Sequence, residues 1–336
     1  MQEVFLANDI IIANQVAVKT PLKSSTKRRF KQSAILAAKV NNHGVARTLD
    51  YFETDDVPYL VEELVVGDTL DKAIIDFAGY IDPYLAARLF GVLAKGIAAS
   101  HRAGVVHRDL KPSNIMVSGG FSLDAVKITD FGIATLAKEI MDEDMVANGD
   151  ITKSTSGTVK GAIPYMAPEM MFRTKGQVID CPADIWSLGA MMFYSLSGVL
   201  PFGEGLQAAV AVANGERAEW PRFMTNNRQF MSLSEDLQKI IEICLVKEPS
   251  ERPTAIEVVE KISELHVFYS DVYEGTISHM PHKYWGFLKT ESHREYMFHR
   301  ESVYGRNMAS EGLKAVFSKS NGVPKDRAFP MLVQKR

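Results

Sequence analysis

His107-Arg108-Asp109-Leu110-Lys111-Pro112-Ser113-Asn114 is the stretch that decides how this chain is read. It offers a carboxylate at Asp109, an ammonium two positions on at Lys111 and a carboxamide five positions on at Asn114. Sixteen positions after Asn114 comes a second carboxylate, in Asp130-Phe131-Gly132. Between them, Ile115-Met116-Val117 and Val126-Lys127-Ile128 read as two short strands about a turn at Ser118-Gly119-Gly120. Oxygen donors such as Asn114 and Asp130 suit magnesium, and a carboxylate such as Asp109 can take the proton of a hydroxyl. These are the parts needed to move a phosphoryl group, because that reaction depends on positioning and charge neutralisation more than on covalent chemistry.

One tripeptide of this kind would be noise without its context. Here Pro83 to Ala103 reads as a helix, followed by the apolar approach Gly104-Val105-Val106. Downstream stand Met166-Ala167-Pro168-Glu169, then Asp184-Ile185-Trp186-Ser187-Leu188-Gly189, then Arg252-Pro253-Thr254. In this order the motifs make the chain resemble the eukaryotic-like serine/threonine protein kinases of bacterial type. The resemblance covers about residues 1–265. It implies an α+β, bilobal protein-kinase-like fold: a small β-lobe with one helix over 1–66, here truncated, and a larger, mainly helical lobe over 67–265. Residues 266–336 remain as a C-terminal extension. It further implies ATP and Mg2+ as cofactors and serine/threonine hydroxyls of proteins, its own included, as acceptors. Asp109 is then the base, Lys111 holds the γ-phosphate, and Asn114 and Asp130 are the metal ligands.

The small lobe departs from the family. Val4-Phe5-Leu6-Ala7 and Val16-Ala17-Val18-Lys19 resemble its second and third strands, with Lys19 on the α- and β-phosphates and Val4 and Ala17 above adenine. The glycine-rich loop that should precede Val4 is absent: only Met1-Gln2-Glu3 stand there, and no glycine occurs before Gly44. Either the lobe lacks its first strand or the chain begins at an internal methionine. Ser24-Ser25-Thr26 can cap a basic helix starting near Lys27, with Phe30, Ala34 and Ala37 on one face. The resemblance puts Ser33 where a glutamate normally pairs with the strand lysine, and no acid lies between Lys19 and Asp50. Tyr59 to Val65 resembles the strand into the hinge, where Glu63 and Val65 would bond adenine. Glu62 then guards the back of the pocket, where an unpaired carboxylate is costly. We expect Glu62 to replace the missing helix acid as the partner of Lys19, unless a register slip points it elsewhere.

In the large lobe, Asp68-Thr69-Leu70 is expected to open a short helix, and Met116 to close the adenine sandwich from below. The resemblance makes His107 a packing partner of Phe131 and Arg108 the grip on a phosphorylated residue, with Thr158, three before Gly161, at the usual phosphosite. Glu169 and Arg252 should form a buried ion pair, and Asp184 should cap the catalytic-loop backbone. Ala162 departs from the family's usual threonine. The missing loop, Ser33 and Ala162 motivate a second reading, a pseudokinase that binds nucleotide or a partner. The intact set of base, lysines and metal ligands favours the enzyme.

A chain of 336 residues suffices for a substantial core. Its net charge of −3 suggests no nucleic-acid partner by bulk electrostatics. Two cysteines, Cys181 and Cys244, make no disulfide framework. No apolar run reaches the roughly 18 residues of a membrane span and no signal-peptide pattern opens the chain, so a cytoplasmic protein without membrane contact is expected. Residues 266–336 match nothing familiar. They are aromatic-rich (Tyr284, Trp285, Tyr296, Phe298) and carry His279, His282, His293 and His299 without clustered acids or cysteines, which argues against a metal site. This extension is expected to pack on the kinase or to bind a partner, a second copy included.

Overall fold

The computed structural model describes residues 2–22, 27–55, 57–131, 161–172, 178–267 and 270–335. Strands β1 (Gln2–Asp9) and β2 (Asn14–Pro21) form a hairpin. Helix α1 (Lys27–Ala37) and strands β3 (Thr48–Thr54) and β4 (Val57–Glu63) follow. The sheet order is β1-β2-β4-β3, antiparallel at every pairing. Phe30 and Ala34, four apart on α1, bury against Leu60 of β4, which fixes the helix on the sheet.

The chain then enters the larger lobe through Gly67. A Cβ there would stand 2.1 Å from the Val117 carbonyl oxygen, so only glycine lets the connection pass this close. Asp68–Thr69 is strand β5, paired with strand β6 (Ile115–Ser118), and not the start of a helix. The pairing Asp68↔Val117 and Thr69↔Met116 overrides the local signal, and helical turns begin only at Asp71–Ile75, continuing into α2 (Asp76–Ala78). Helix α3 (Pro83–Arg102) starts where expected, because Asp82 accepts from the Tyr84 and Leu85 N–H groups and Pro83 needs no partner. Strand β7 (Ala125–Ile128) closes a hairpin with β6.

Beyond the cleft come α4 (Pro168–Met171), α5 (Pro182–Ser197), α6 (Gly205–Asn214), α7 (Arg222–Asn226), α8 (Met231–Cys244) and α9 (Ala255–Ser263). Helix α5 is buried nearly all round (Ile185, Trp186, Leu188, Met191, Met192 and Phe193), which places it at the centre of the lobe.

Residues past 270 form a closed five-stranded barrel of β8 (Val272–His282), β9 (Trp285–Lys289), β10 (Glu295–His299), β11 (Lys314–Ser320) and β12 (Arg327–Val333). Around the barrel the order is β8-β9-β10-β12-β11, with β10 and β12 parallel and the other pairs antiparallel. Its interior is filled by side chains such as Ile277, Leu288, Tyr296, Phe298, Phe317 and Met331. The barrel is fused to the large lobe through a shared core. Val316, Leu332 and Tyr304 belong to the lobe's own apolar cluster, and the Tyr304 hydroxyl donates to the Leu196 carbonyl at 3.0 Å. Gly305, at φ +99°, lies so close to Tyr80 that a Cβ would overlap its ring. Among the described residues no helix is long and apolar enough to cross a membrane.

Candidate active site

The turn from His107 to Asn114 is held by its own short-range bonds and by one buried carboxylate. Asp184, at the start of α5, accepts from the Arg108 N–H (2.7 Å), the His107 N–H (2.8 Å) and His101 Nε2 (2.9 Å). Burial alone would lift the Asp184 carboxyl, but the His101 bond, the nearby His107 and its N–H hold it below the usual carboxylate range. His107 is fully buried; its Nε2 bonds the Thr129 carbonyl at 2.8 Å, and its ring meets Phe131 edge-on at 4.6 Å. These contacts tie the loop to the segment after β7 that carries Asp130. Arg108 and Asp130 both adopt φ +63°, a left-handed conformation that costs non-glycine residues energy and persists where the surroundings force it.

At the front of the loop, Lys111 Nζ bonds Asp109 Oδ2 at 2.8 Å. Asn114 Nδ2 bonds the same carboxylate oxygen at 3.0 Å and the Asp109 carbonyl at 2.8 Å. Asp109 is thus fixed from two sides, although Ala162 has no hydroxyl to add. With Nδ2 committed, Asn114 Oδ1 makes no hydrogen bond among the described residues.

Across the cleft, Lys19 is buried with only 7% of its side chain exposed. Its ammonium lies 2.6 Å from Glu62 Oε2 and 2.7 Å from Asp130 Oδ1. The ladder explains how a strand residue reaches it. Ala17 pairs with Glu62 and Lys19 with Leu60, so Lys19 and Glu62 are diagonal neighbours on one face of β2 and β4. Burial acts to lower the Lys19 pKa, but the charges of Glu62 and Asp130 outweigh it, and the group is held firmly as an ammonium. Burial pushes the Glu62 carboxyl up against the pull of Lys19, whereas Lys19 and Gln2 hold Asp130 below the usual range despite its burial. Asp130 Oδ1 accepts from both Lys19 and Gln2 Nε2 at 2.7 Å. Its Oδ2 makes no bond among the described residues. Asn114 Oδ1 and Asp130 Oδ2 are therefore two spare hard oxygens, a donor set that fits magnesium.

Val4, Ala17, Lys19, Leu60 and Glu62 share one sheet face by register, with Val4 more than half exposed. Glu63 is bound by Lys127 Nζ at 2.9 Å and by the Arg47 N–H at 3.2 Å. Val65 lies in the link to β5, and Met116 on β6 is half-buried. Ser33 is buried on α1. Arg108 donates from Nη2 to the Ile179 carbonyl at 2.7 Å, while its buried Nε has no partner among the described residues. Thr158 lies outside the described residues.

Glu169 and Arg252 lie apart from this cluster and serve the lobe. Their carboxylate and guanidinium meet twice, at 2.7 and 2.9 Å, and Arg252 also donates to the Val246, Pro182 and Lys247 carbonyls. Every donor of this buried fork is used, so loss of Glu169 would strand a charge. His101, Thr129, Gln2 and Lys127 were not singled out from sequence as site residues.

Residues 2–262 match the family model for the protein kinase domain. A Clostridium perfringens protein named as a probable serine/threonine-protein kinase is 34% identical over 71% of this chain and 32% of its own length. PrkC of Bacillus subtilis, a serine/threonine-protein kinase, is 31% identical over 77% of this chain and 38% of its own. PknB of Mycobacterium leprae, of the same description, is 32% identical over 79% and 41% respectively. The chain thus spans about a third to two-fifths of the length of these curated relatives. On the matched domain and the assembled catalytic loop, the chain belongs to the protein kinase family.

Proposed function

We propose that this chain is a Mg-ATP-dependent protein kinase that phosphorylates serine and threonine hydroxyls, its own among them. The observation that carries the reading is the convergence of Asp109, Lys111 and Asn114 with the Lys19–Asp130 contact across the cleft.

Asp109 takes the proton from an incoming hydroxyl, and the freed oxygen attacks the γ-phosphorus of ATP. The bond from that phosphorus to the bridging oxygen breaks, and ADP leaves with the electron pair. Lys111 holds the transferring phosphoryl oxygens and Lys19 the α- and β-phosphates. Magnesium, held by Asn114 and Asp130, would supply charge neutralisation on the phosphates. Glu62 keeps Lys19 positioned in the role a helix acid usually fills. Val4, Ala17 and Met116 enclose adenine, with Glu63 and Val65 as its polar edge. Arg108, with a buried Nε in reserve, receives a phosphorylated residue of the 131–160 segment, with Thr158 the expected site.

Intact-mass measurement with and without Mg-ATP tests this. Wild type should gain phosphates, while Asp109→Asn and Asp130→Asn should not. Nucleotide binding without transfer would mark a binding module instead, and neither binding nor transfer would reject the reading.

A further inference from the structure

The barrel presents an outer face that its own fold does not explain. Strands β9 and β10 alternate, sending Leu288, Tyr296 and Phe298 inward. In a free-standing barrel wall the intervening residues should be polar. Lys289 and Glu295 at one end are, but the others are Trp285, Phe287, Met297 and His299. The register sets them in two rows across three strands. His279 pairs with Phe287 and Phe287 with Met297, while His282 pairs with Trp285 and Trp285 with His299. None of these belongs to the apolar cluster that fuses barrel to lobe.

The rings of Trp285 and Phe287 on this face are half-buried, that of Tyr284 is exposed, and cations accompany them. His279 stacks on Phe287 at 4.7 Å and 19°, and Trp285 meets Phe287 edge-on at 5.5 Å. Tyr284, 44% exposed at the β8–β9 turn, stacks against His299. Two ammonium groups rest over rings: Lys283 at 4.8 Å from the Tyr284 centroid and Lys325 at 5.0 Å from that of Phe287. Arg327 reaches Met297 from β12. The overall charge of −3 conceals a strong asymmetry. Residues 270–336 carry eleven Lys and Arg against seven Asp and Glu, a net of +4, which leaves −7 on the other 269 residues.

We propose that this face binds single-stranded nucleic acid, its bases stacking on Trp285, Phe287 and Tyr284 and its phosphates meeting Lys283, Lys325 and Arg327. Stacking rings beside cations are the two elements that non-duplex nucleic acid requires, and both tolerate any base; Lys325 is ion-paired with Glu295, so a phosphate there takes the place of that carboxylate. An acidic protein would satisfy the charge but would make no use of the aromatic rings. By fold analogy alone, the second and third strands of small five-stranded Greek-key barrels are a usual oligonucleotide surface. The inference stands independently of phosphate transfer, because the face is remote in sequence and in packing from the cleft.

The test is fluorescence anisotropy of labelled oligouridine and oligothymidine, each about twelve nucleotides, with the full chain. Both should bind, with quenching of indole fluorescence and an affinity that weakens as salt rises. The stronger of the two assigns RNA or DNA. The double variant Trp285→Ala/Phe287→Ala should bind roughly tenfold or more weakly. Lys283→Gln/Lys325→Gln removes both ammonium groups without setting a second carboxylate beside Glu295, and should flatten the salt dependence. No binding at low salt, equal binding by both double variants and wild type, or equal competition by polyglutamate would each overturn the proposal.

Discussion

Two β units flank the helical lobe, and they are attached by opposite means. The small-lobe sheet owns a slight core around Phe30, Ala34 and Leu60 and leaves Val4, Phe5, Leu6 and Ile10 to Ile12 exposed. Apart from the packing of Ala37, Val40 and Val45 and the backbone pairing of Gly44 and Ala46 with Ile128, it meets the large lobe through polar and charged side chains: Lys19 and Gln2 on Asp130, and Lys127 on Glu63. The barrel instead is welded by rings. Tyr304 is fully buried among Tyr80, Phe223 and Phe230, and Phe329 stacks on Phe230. Ion pairs at a cleft can exchange partners when a charged ligand arrives, whereas a close-packed aromatic seam cannot move without opening voids. The cleft is therefore the adjustable boundary and the barrel seam the rigid one.

The sharpest way to break that contrast is to change each boundary and watch for effects on the other. Asp109→Asn should lower turnover by about 10²–10⁴-fold, and Asp130→Asn should also abolish useful transfer, both with unfolding curves close to wild type. Tyr304→Ala should cost about 3–5 kcal/mol by leaving a void in the seam. Lobe and barrel should then unfold in one transition in calorimetry; two separated transitions would show that the weld is weaker than described.

A smaller effect sits at the edge of the seam. Asp82 lies beside Val316 and Leu332 around a cavity of about 30 Å3, and burial raises its pKa from 3.8 to about 6, against the pull of the Leu85 and Tyr84 N–H groups. The folded protein thus holds this proton more tightly than the unfolded chain. The contribution is full below about pH 4 and is lost as pH rises through 6, at most about 3 kcal/mol at about 1.4 kcal/mol per unit. Asp82→Asn retains a capping acceptor and removes the buried charge. Its Tm should exceed that of wild type at pH 7–8 and match it near pH 4; a lower Tm at pH 8 would refute the assignment.

The catalytic loop was readable in sequence because its geometry is local. The bonds among His107, Asp109, Lys111 and Asn114 span at most five residues, so spacing alone carries them. The Lys19–Glu62 contact was readable for a different reason: one acid was missing from a helix and one was gained on a strand beside the same lysine. Asp68–Thr69 misled because a two-residue strand has no pattern of its own and exists only through its pairing with β6. The barrel was opaque because Trp285, Phe287 and Met297 face outward from β9 and β10 beside the inward Leu288, Tyr296 and Phe298, which blurs the period-two signal. The residues that hid the barrel are those on which its proposed binding face is built. Likewise, Gln2 and Thr129 act through contacts far along the chain, which no motif spacing encodes.

The central claim is that a strand-borne acid holds the nucleotide lysine of a working kinase. Initial rates of γ-phosphate transfer from Mg-ATP, with ATP varied, test it most directly on wild type beside Glu62→Gln. Wild type should turn over, and the variant should lose about 10–30-fold in kcat/KM for ATP, in line with about 1.5–2 kcal/mol for a hydrogen bond to a charged group. A Glu62→Gln enzyme with wild-type kcat and KM would contradict the account.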